Sequence, residues 1–286
     1  MDDEPLSQKM VSRSIERAQR QVEEYNFEIR KHLKEYDDVM NKQRMIIYDM
    51  RRNVLEDRDV TEQLHEMFEN IIGRLVDEFA PETVLPDEWD LEGLATGFRA
   101  IFGFEPKAAA SHDPEPQPLF DDLVGQVLHE YERREKSLEE EIRQSFRTEI
   151  GGDESQVDFA RIARKRTHDL EMMALLRAVD DKWIDHLYSM DYLRDSVRLR
   201  AYGQKDPLVE YKTEGYELFQ SMMASIEEDV SQTLFRLSDP EVRQRRRLQA
   251  QRGTLTQSED PFAKLSHYSY VQALSLIHIS EPTRPY

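Results

Sequence analysis

Residues 11–54 read VSRSIERAQRQVEEYNFEIRKHLKEYDDVMNKQRMIIYDMRRNV. Apolar or aromatic side chains recur at Val11, Ile15, Ala18, Val22, Tyr25, Ile29, Leu33, Tyr36, Met40, Ile47, Met50 and Val54. The steps are three and four residues, with one skipped turn at Gln43. Neither Gly nor Pro occurs between residues 6 and 72. This spacing predicts one amphipathic helix, about 65 Å long from Val11 to Val54. A helix cannot bury its own stripe, so the spacing also predicts other elements laid along it.

The 286-residue chain as a whole is acidic, with 39 Lys and Arg against 58 Asp and Glu, a formal net charge of −19 and a mean hydropathy of −0.76. No apolar run reaches the roughly 18–20 residues of a membrane span. Met1–Pro5 are acidic and lack the basic-then-apolar pattern of a secretory signal. The absence of cysteine excludes disulfides, thiolate zinc sites and cysteine nucleophiles. The acidity argues against a protein that coats nucleic acid, because phosphate neutralisation needs an excess of Lys and Arg. High charge with low hydropathy is also a signature of disorder, but the helical period assigns the charge to the outer faces of regular helices.

Three further stretches follow the long helix. Between residues 58 and 155 a short helix carries Leu64, Met67, Phe68, Ile71, Ile72, Leu75, Val76 and Phe79, and ends before Pro81. The run from Pro86 to Leu94 sets acidic residues ahead of apolar ones and reads as a helix start. A linker with Pro106, Pro114, Pro116 and Pro118 precedes a charged helix from about Leu119 to Ile150, stopped by Gly151 and Gly152. Residues 156–238 read as a helical hairpin. One arm carries Phe159, Ile162, Leu170, Met173, Leu176, Val179, Trp183, Leu187, Met190, Leu193 and Val197. The other carries Phe219, Met222, Ile226, Val230, Leu234 and Leu237. A short connection makes such arms antiparallel neighbours. The expected fold is all-α: a long scaffold helix (1–57) packed with a two-helix finger (156–238), and a small helical domain (58–155) inserted between them. From Asp239 the period fades into a tail, 239–286, with basic residues Arg243, Arg245, Arg246, Arg247 and Arg252. Its last dozen residues, Ser275–Tyr286, share no pattern with the rest and read as foreign to the gene.

No catalytic, cofactor-binding or metal-binding constellation stands out. The sequence has no phosphate-binding G-x-x-x-x-G-K-[ST] loop, no G-x-G-x-x-G and no H-E-x-x-H. His168 and His186 lie about 27 Å apart along one helix. Asp180, Asp181, Asp185 and His186 could be imagined as a metal-dependent hydrolase site, but their spacing fits surface charge on a solvated face better. Asp37 and Asp38, adjacent on a helix, point about 100° apart and would not serve one substrate atom. Glu139, Glu140 and Glu141 read as a solvated face beside Arg133, Arg134, Lys136 and Arg143. Trp183 falls on the apolar stripe and reads as core, with an interface position as the second reading. Met172, Met173, Met222 and Met223 suggest an alternative function, a free-standing helical adaptor or chaperone holding client polypeptides on methionine-rich faces.

The connection between the arms is the most informative element. From Arg194 to Lys212 there are five basic residues (Arg194, Arg198, Arg200, Lys205, Lys212) and three acidic ones (Asp195, Asp206, Glu210), a local excess of positive charge on an acidic chain. Tyr202 sits at the turn beside Gly203. One reading is an ordinary connector. The other is a finger that presents an aromatic ring and positive charge to a partner, a role that tyrosine's apolar area, single hydroxyl and few rotors suit.

At these residues the chain resembles the C-terminal part of the bacterial SecA preprotein translocase ATPases. The stretches that carry the resemblance run in order from Glu16–Glu23, Asn26–Lys31 and Glu35–Arg44 through Pro86–Leu94 and Trp183–Leu187. They continue with Met190–Arg194, Leu199–Pro207 and Glu210–Lys212. Together they cover roughly residues 5–240. The resemblance implies a helical scaffold domain, a helical wing domain at 58–155 and a two-helix finger. The finger tip, with Arg200, Tyr202, Gly203 and Lys205, would enter the mouth of the SecYEG channel and contact the preprotein, and Trp183 would lie in an ATPase-regulating arm.

The resemblance further implies a scaffold that couples motor domains to preprotein movement. The motor domains would bind ATP and magnesium and lie N-terminal to Met1, so this chain should hold no cofactor and hydrolyse no ATP by itself. The zinc-binding tail of many members needs cysteines that are missing here. The implied partners are SecYEG, unfolded preproteins, the motor domains, a SecB-like chaperone, an anionic lipid or ribosome surface near the basic residues, and a second copy in a homodimer. The implied location is cytoplasmic, peripheral at the inner face of the cell membrane.

Overall fold

The computed structural model describes residues 8–56, 60–107, 115–150, 154, 157–200 and 206–251. Seven α-helices and no strand occur among them. They are α1 (Gln8–Leu55), α2 (Thr61–Phe79), α3 (Leu91–Phe102), α4 (Pro116–Ser145), α5 (Phe159–Arg200), α6 (Pro207–Ser238) and α7 (Pro240–Gln251). A short 3₁₀ turn, Pro86–Glu88, precedes α3, and a π-helical turn, Phe146–Ile150, follows α4. The all-α expectation holds. None of these helices is long and apolar enough to cross a membrane.

Local chemistry explains where the helices begin and end. Asp90 caps α3, its carboxylate accepting from the Gly93 amide at 2.8 Å, as the acidic run predicts. At the other end of α3 Gly103 adopts φ +74°, a left-handed conformation that glycine enters without a Cβ penalty. Asp158 opens α5 by accepting from the Arg161 amide at 3.0 Å. Asp206 opens α6, ahead of Pro207 in the first turn, by accepting from the Leu208 amide at 2.9 Å.

The fading of the helical period after Asp239 is misleading, because residues 240–251 form α7. Asp239 caps it through bonds from the Glu241 and Val242 amides at 2.8 and 3.3 Å, with Pro240 as its first residue. A cap, a proline and an acidic first turn start a helix whose polar composition gives no apolar period.

The described residues fall into two compact units. One draws on Met1–Asn53 and Val179–Met223, the other on Val54–Ala178 and Ala224–Tyr286. In the first unit, α1 is buried only toward its C-terminal half. Ile47 is 2% exposed and Tyr36, Val39 and Met40 are half-buried, whereas Val11, Ile15, Val22, Tyr25, Ile29 and Leu33 are exposed. The expected elements laid along α1 therefore cover its second half and leave the first half of the stripe exposed. The reason is length: the segment of α5 within this unit, from Val179 to Arg200, is roughly 33 Å long, against about 72 Å for α1.

The second unit is built on aromatic side chains. Phe68 from α2 is fully buried and meets Phe102, Tyr131 and Phe235 at ring-centroid distances of 6.1, 5.7 and 5.6 Å, each edge-on. Edge-to-face pairs set the positive rim of one ring against the negative face of another and add about 0.5–1.5 kcal/mol each beyond area burial. Leu64, Ile71, Ile72, Leu75 and Val76 of α2 complete one buried face, as the sequence predicts. On α5, Leu170 and Leu175 are buried in this unit, while Leu176 is half-buried and Ile162 is exposed. Replacing Phe68 by Ala should cost about 3–5 kcal/mol, read as a lower urea midpoint at unchanged slope. A loss below about 1 kcal/mol would remove Phe68 from the centre of this core.

Candidate functional site

The hairpin arms within the first unit pack through Met190, Leu193 and Val197 of α5 and Tyr211 of α6, all at most 4% exposed. Tyr36, Val39 and Met40 of α1 close over this cluster, with the Tyr36 and Tyr211 rings 4.8 Å apart. Burial pushes the Tyr211 hydroxyl's pKa up, so it stays protonated at neutral pH. This apolar contact holds both arms close to their turn. The described part of α5 ends at Arg200 and α6 begins at Pro207. Tyr202, Gly203 and Lys205 lie outside the described residues, as does the side chain of Arg200. Near the turn, Arg194 is engaged by Asp191 at 3.2 Å on the same helix.

Further along the arms a polar cross-tie joins all three helices. Gln43 of α1, 6% exposed, donates its amide to the Gly215 carbonyl of α6 at 3.0 Å. That orientation leaves the Gln43 oxygen as acceptor, and His186 Nε2 of α5 lies 2.9 Å from it. The imidazole therefore carries its proton on Nε2. His186 is 3% exposed, near-stacked on Trp183 (centroids 5.5 Å, 30° between planes) and edge-on to Phe219 at 5.8 Å. Desolvation lowers the His186 pKa below the ordinary histidine value, which keeps the ring neutral. Gly215 lets α6 come close here, since a Cβ on it would lie 2.8 Å from Met190 Cε.

The residues weighed as chemistry disperse in the structure. Trp183 is buried beside His186, as its place on the stripe predicts. His186 contradicts the solvated-face expectation, because it turns inward to Gln43. Asp180 is half-buried in a close ion pair with Arg51 of α1, and Asp181 and Asp185 face solvent. Among the described residues no group of three or more His, Asp or Glu is arranged to hold a metal ion. Asp37 and Asp38 are exposed. Met222 is core while Met172, Met173 and Met223 are half-buried, so the four do not form one exposed client face. Glu139 pairs with Arg143 at 2.6 Å, but Glu141 is taken by Arg243 of α7 at 2.7 Å, a partner the sequence spacing does not show.

Residues 5–238 match the family described as the SecA wing and scaffold domain. Among curated relatives, the protein translocase subunit SecA of Carboxydothermus hydrogenoformans is 42% identical over 258 residues, covering 86% of this chain and 26% of the relative. That of Pelotomaculum thermopropionicum is 42% identical over 247 residues, 86% of this chain and 25% of the relative. That of Desulforamulus reducens is 36% identical over 273 residues, 92% of this chain and 28% of the relative. The chain thus spans about a quarter of the length of the curated relatives it matches.

The cross-tie makes a pH prediction with a definite sign. Because the native His186 pKa lies below its unfolded value, the unfolded chain binds the extra proton first. Stability should be fully present above about pH 6.5 and fall as pH drops below it toward the native pKa. Urea midpoints taken from pH 7.5 to 5 should show this fall, and a His186→Gln variant should show a smaller one. An identical pH dependence in the variant would remove His186 from the account. Gln43→Ala should cost about 1–3 kcal/mol by stranding the buried His186 N–H.

Proposed function

Because this chain belongs to the SecA wing and scaffold family, we propose that it forms the scaffold and finger of a protein translocase, coupling motor domains elsewhere in the translocase to preprotein movement through a SecYEG-type channel. The observation that supports this reading is the packing under the turn. Val197 and Tyr211 are buried close to the ends of the two arms, and α1 closes over them. A hairpin held so near its turn can transmit displacement of a scaffold helix to the turn without bending.

The turn itself supplies the contact. Arg200, Tyr202, Gly203 and Lys205 present positive charge and one aromatic ring to the channel mouth and the moving polypeptide. An aromatic ring grips many sequences, because it offers apolar area without demanding one hydrogen-bonding partner. Trp183, packed against the cross-tie, lies where movement of an arm would be felt by α1, which suits a role in regulating the motor. ATP and magnesium serve the motor domains in this reading, and the scaffold holds neither. The exposed apolar residues on the first half of α1 suit docking of those domains. The protein then works in the cytoplasm, peripheral to the inner face of the cell membrane.

The test is transport by a full-length relative whose wing and scaffold segment is replaced by residues 5–238 of this chain. Tyr202→Ala should slow transport roughly tenfold if an aromatic anchor is lost, while Tyr202→Phe should keep most of it. Equal transport by both variants and the parent would take the ring out of the mechanism.

A further inference from the structure

Two arginines, one on α4 and one on α7, tie the end of α6 and the first turn of α7 to one face of α4. Arg134 of α4 is 4% exposed and lies over the Phe235 ring, its guanidinium carbon 5.0 Å from the centroid. It donates to the Phe235 carbonyl in the last turn of α6 and to the Ser238 hydroxyl at 3.5 Å. Glu130 holds Arg134 in this pose through its Nε at 2.8 Å. Burial opposes ionisation of Glu130, but bonds from Arg133 and Arg134 prevail and hold its pKa below the usual carboxylate range.

Arg243 reaches back from the first turn of α7. It donates to the Ser238 carbonyl, and it holds Glu141 of α4 with both arms of its fork, Nε to one oxygen at 3.1 Å and the terminal nitrogen to the other at 2.7 Å. It also meets the Ser137 hydroxyl at 3.2 Å. Bidentate arginine–carboxylate pairs are among the stronger charge-assisted contacts, and cations suit the negative end of a helix. Among the described side chains of α7 none is a buried apolar residue: Val242 is half-buried and Leu248 is exposed.

We propose that α7 is a releasable strap, locked on α4 by the Arg243–Glu141 pair and linked through Ser238 to the Arg134 cap on α6. Both arginines converge on Ser238, one at its hydroxyl and the other at its carbonyl. Lifting α7 therefore withdraws one of the two cations at the end of α6, and the last turn of α6 loosens with it. The strap gives the acidic scaffold a helix end whose order responds to whatever competes for Arg243.

Amide hydrogen exchange on the 286-residue chain tests the strap. Glu141→Gln and Arg243→Ala should each speed exchange about tenfold or more, both across α7 and at Phe235–Ser238, a size expected for loss of about 1.4 kcal/mol or more of local protection. Amides of Leu64–Val76 should keep their protection. The double variant should exchange no faster than Arg243→Ala alone, because that change already removes the pair with Glu141. Arg243→Lys, which keeps the charge without the fork, should fall between. Unchanged exchange in α7, faster exchange in α7 with Phe235–Ser238 unaffected, or loss of protection throughout α2 would each overturn the strap.

Discussion

One polar side chain organises the first unit. Gln43 sits where the apolar stripe of α1 skips a turn, and it spends its two ends on two other helices. A buried amide with both ends satisfied fixes register in a way that leucine cannot, since sliding any helix by one turn would strand a donor and an acceptor. The same geometry explains its neighbours. His186 must be neutral and protonated on Nε2, Trp183 and Phe219 seal it from water, and Gly215 admits the close approach of α6. The Tyr36–Tyr211 contact then extends this register toward the turn.

The second unit reaches its order by different means. Its centre is a group of aromatic rings that meet edge-on, so shape rather than hydrogen bonding sets the packing. Buried charge in this unit is held by specific partners. Tyr131 donates to the fully buried Glu171 at 2.7 Å, and Arg164 meets the same oxygen at 3.1 Å. Burial, reinforced by the Glu171 charge, pushes the Tyr131 pKa well up and keeps it a donor. Such ties stabilise little in net terms, because desolvation offsets most of the attraction, but breaking one would leave a charge without water.

Much of this was legible in the sequence, and the failures have physical causes. The second-arm positions Phe219, Met222, Ile226, Val230, Leu234 and Leu237 are all buried, as the steps of three and four predict. The skipped turn at Gln43 was visible but looked like a gap, because period counts apolar residues and cannot tell an interruption from a buried amide. Nearness in sequence groups His186 with Asp180, Asp181 and Asp185, but on the helix it points inward while Asp181 and Asp185 face outward. Periodicity does not show the helix at 240–251, because its start is written in the Asp239–Pro240 cap. The stripe of α1 is correctly periodic, yet periodicity says which face seeks burial and not how much partner there is to cover it.

In the proposed function, a hairpin that α1 holds close to its ends would meet the moving polypeptide at its turn. A photo-reactive amino acid placed at position 202 of the chimeric translocase, with a preprotein stalled in the channel, addresses that contact directly. The account predicts preprotein adducts from position 202 and far fewer from Tyr188 or Tyr216, which are exposed on the arms. Adducts from the arm positions with none from 202 would contradict it.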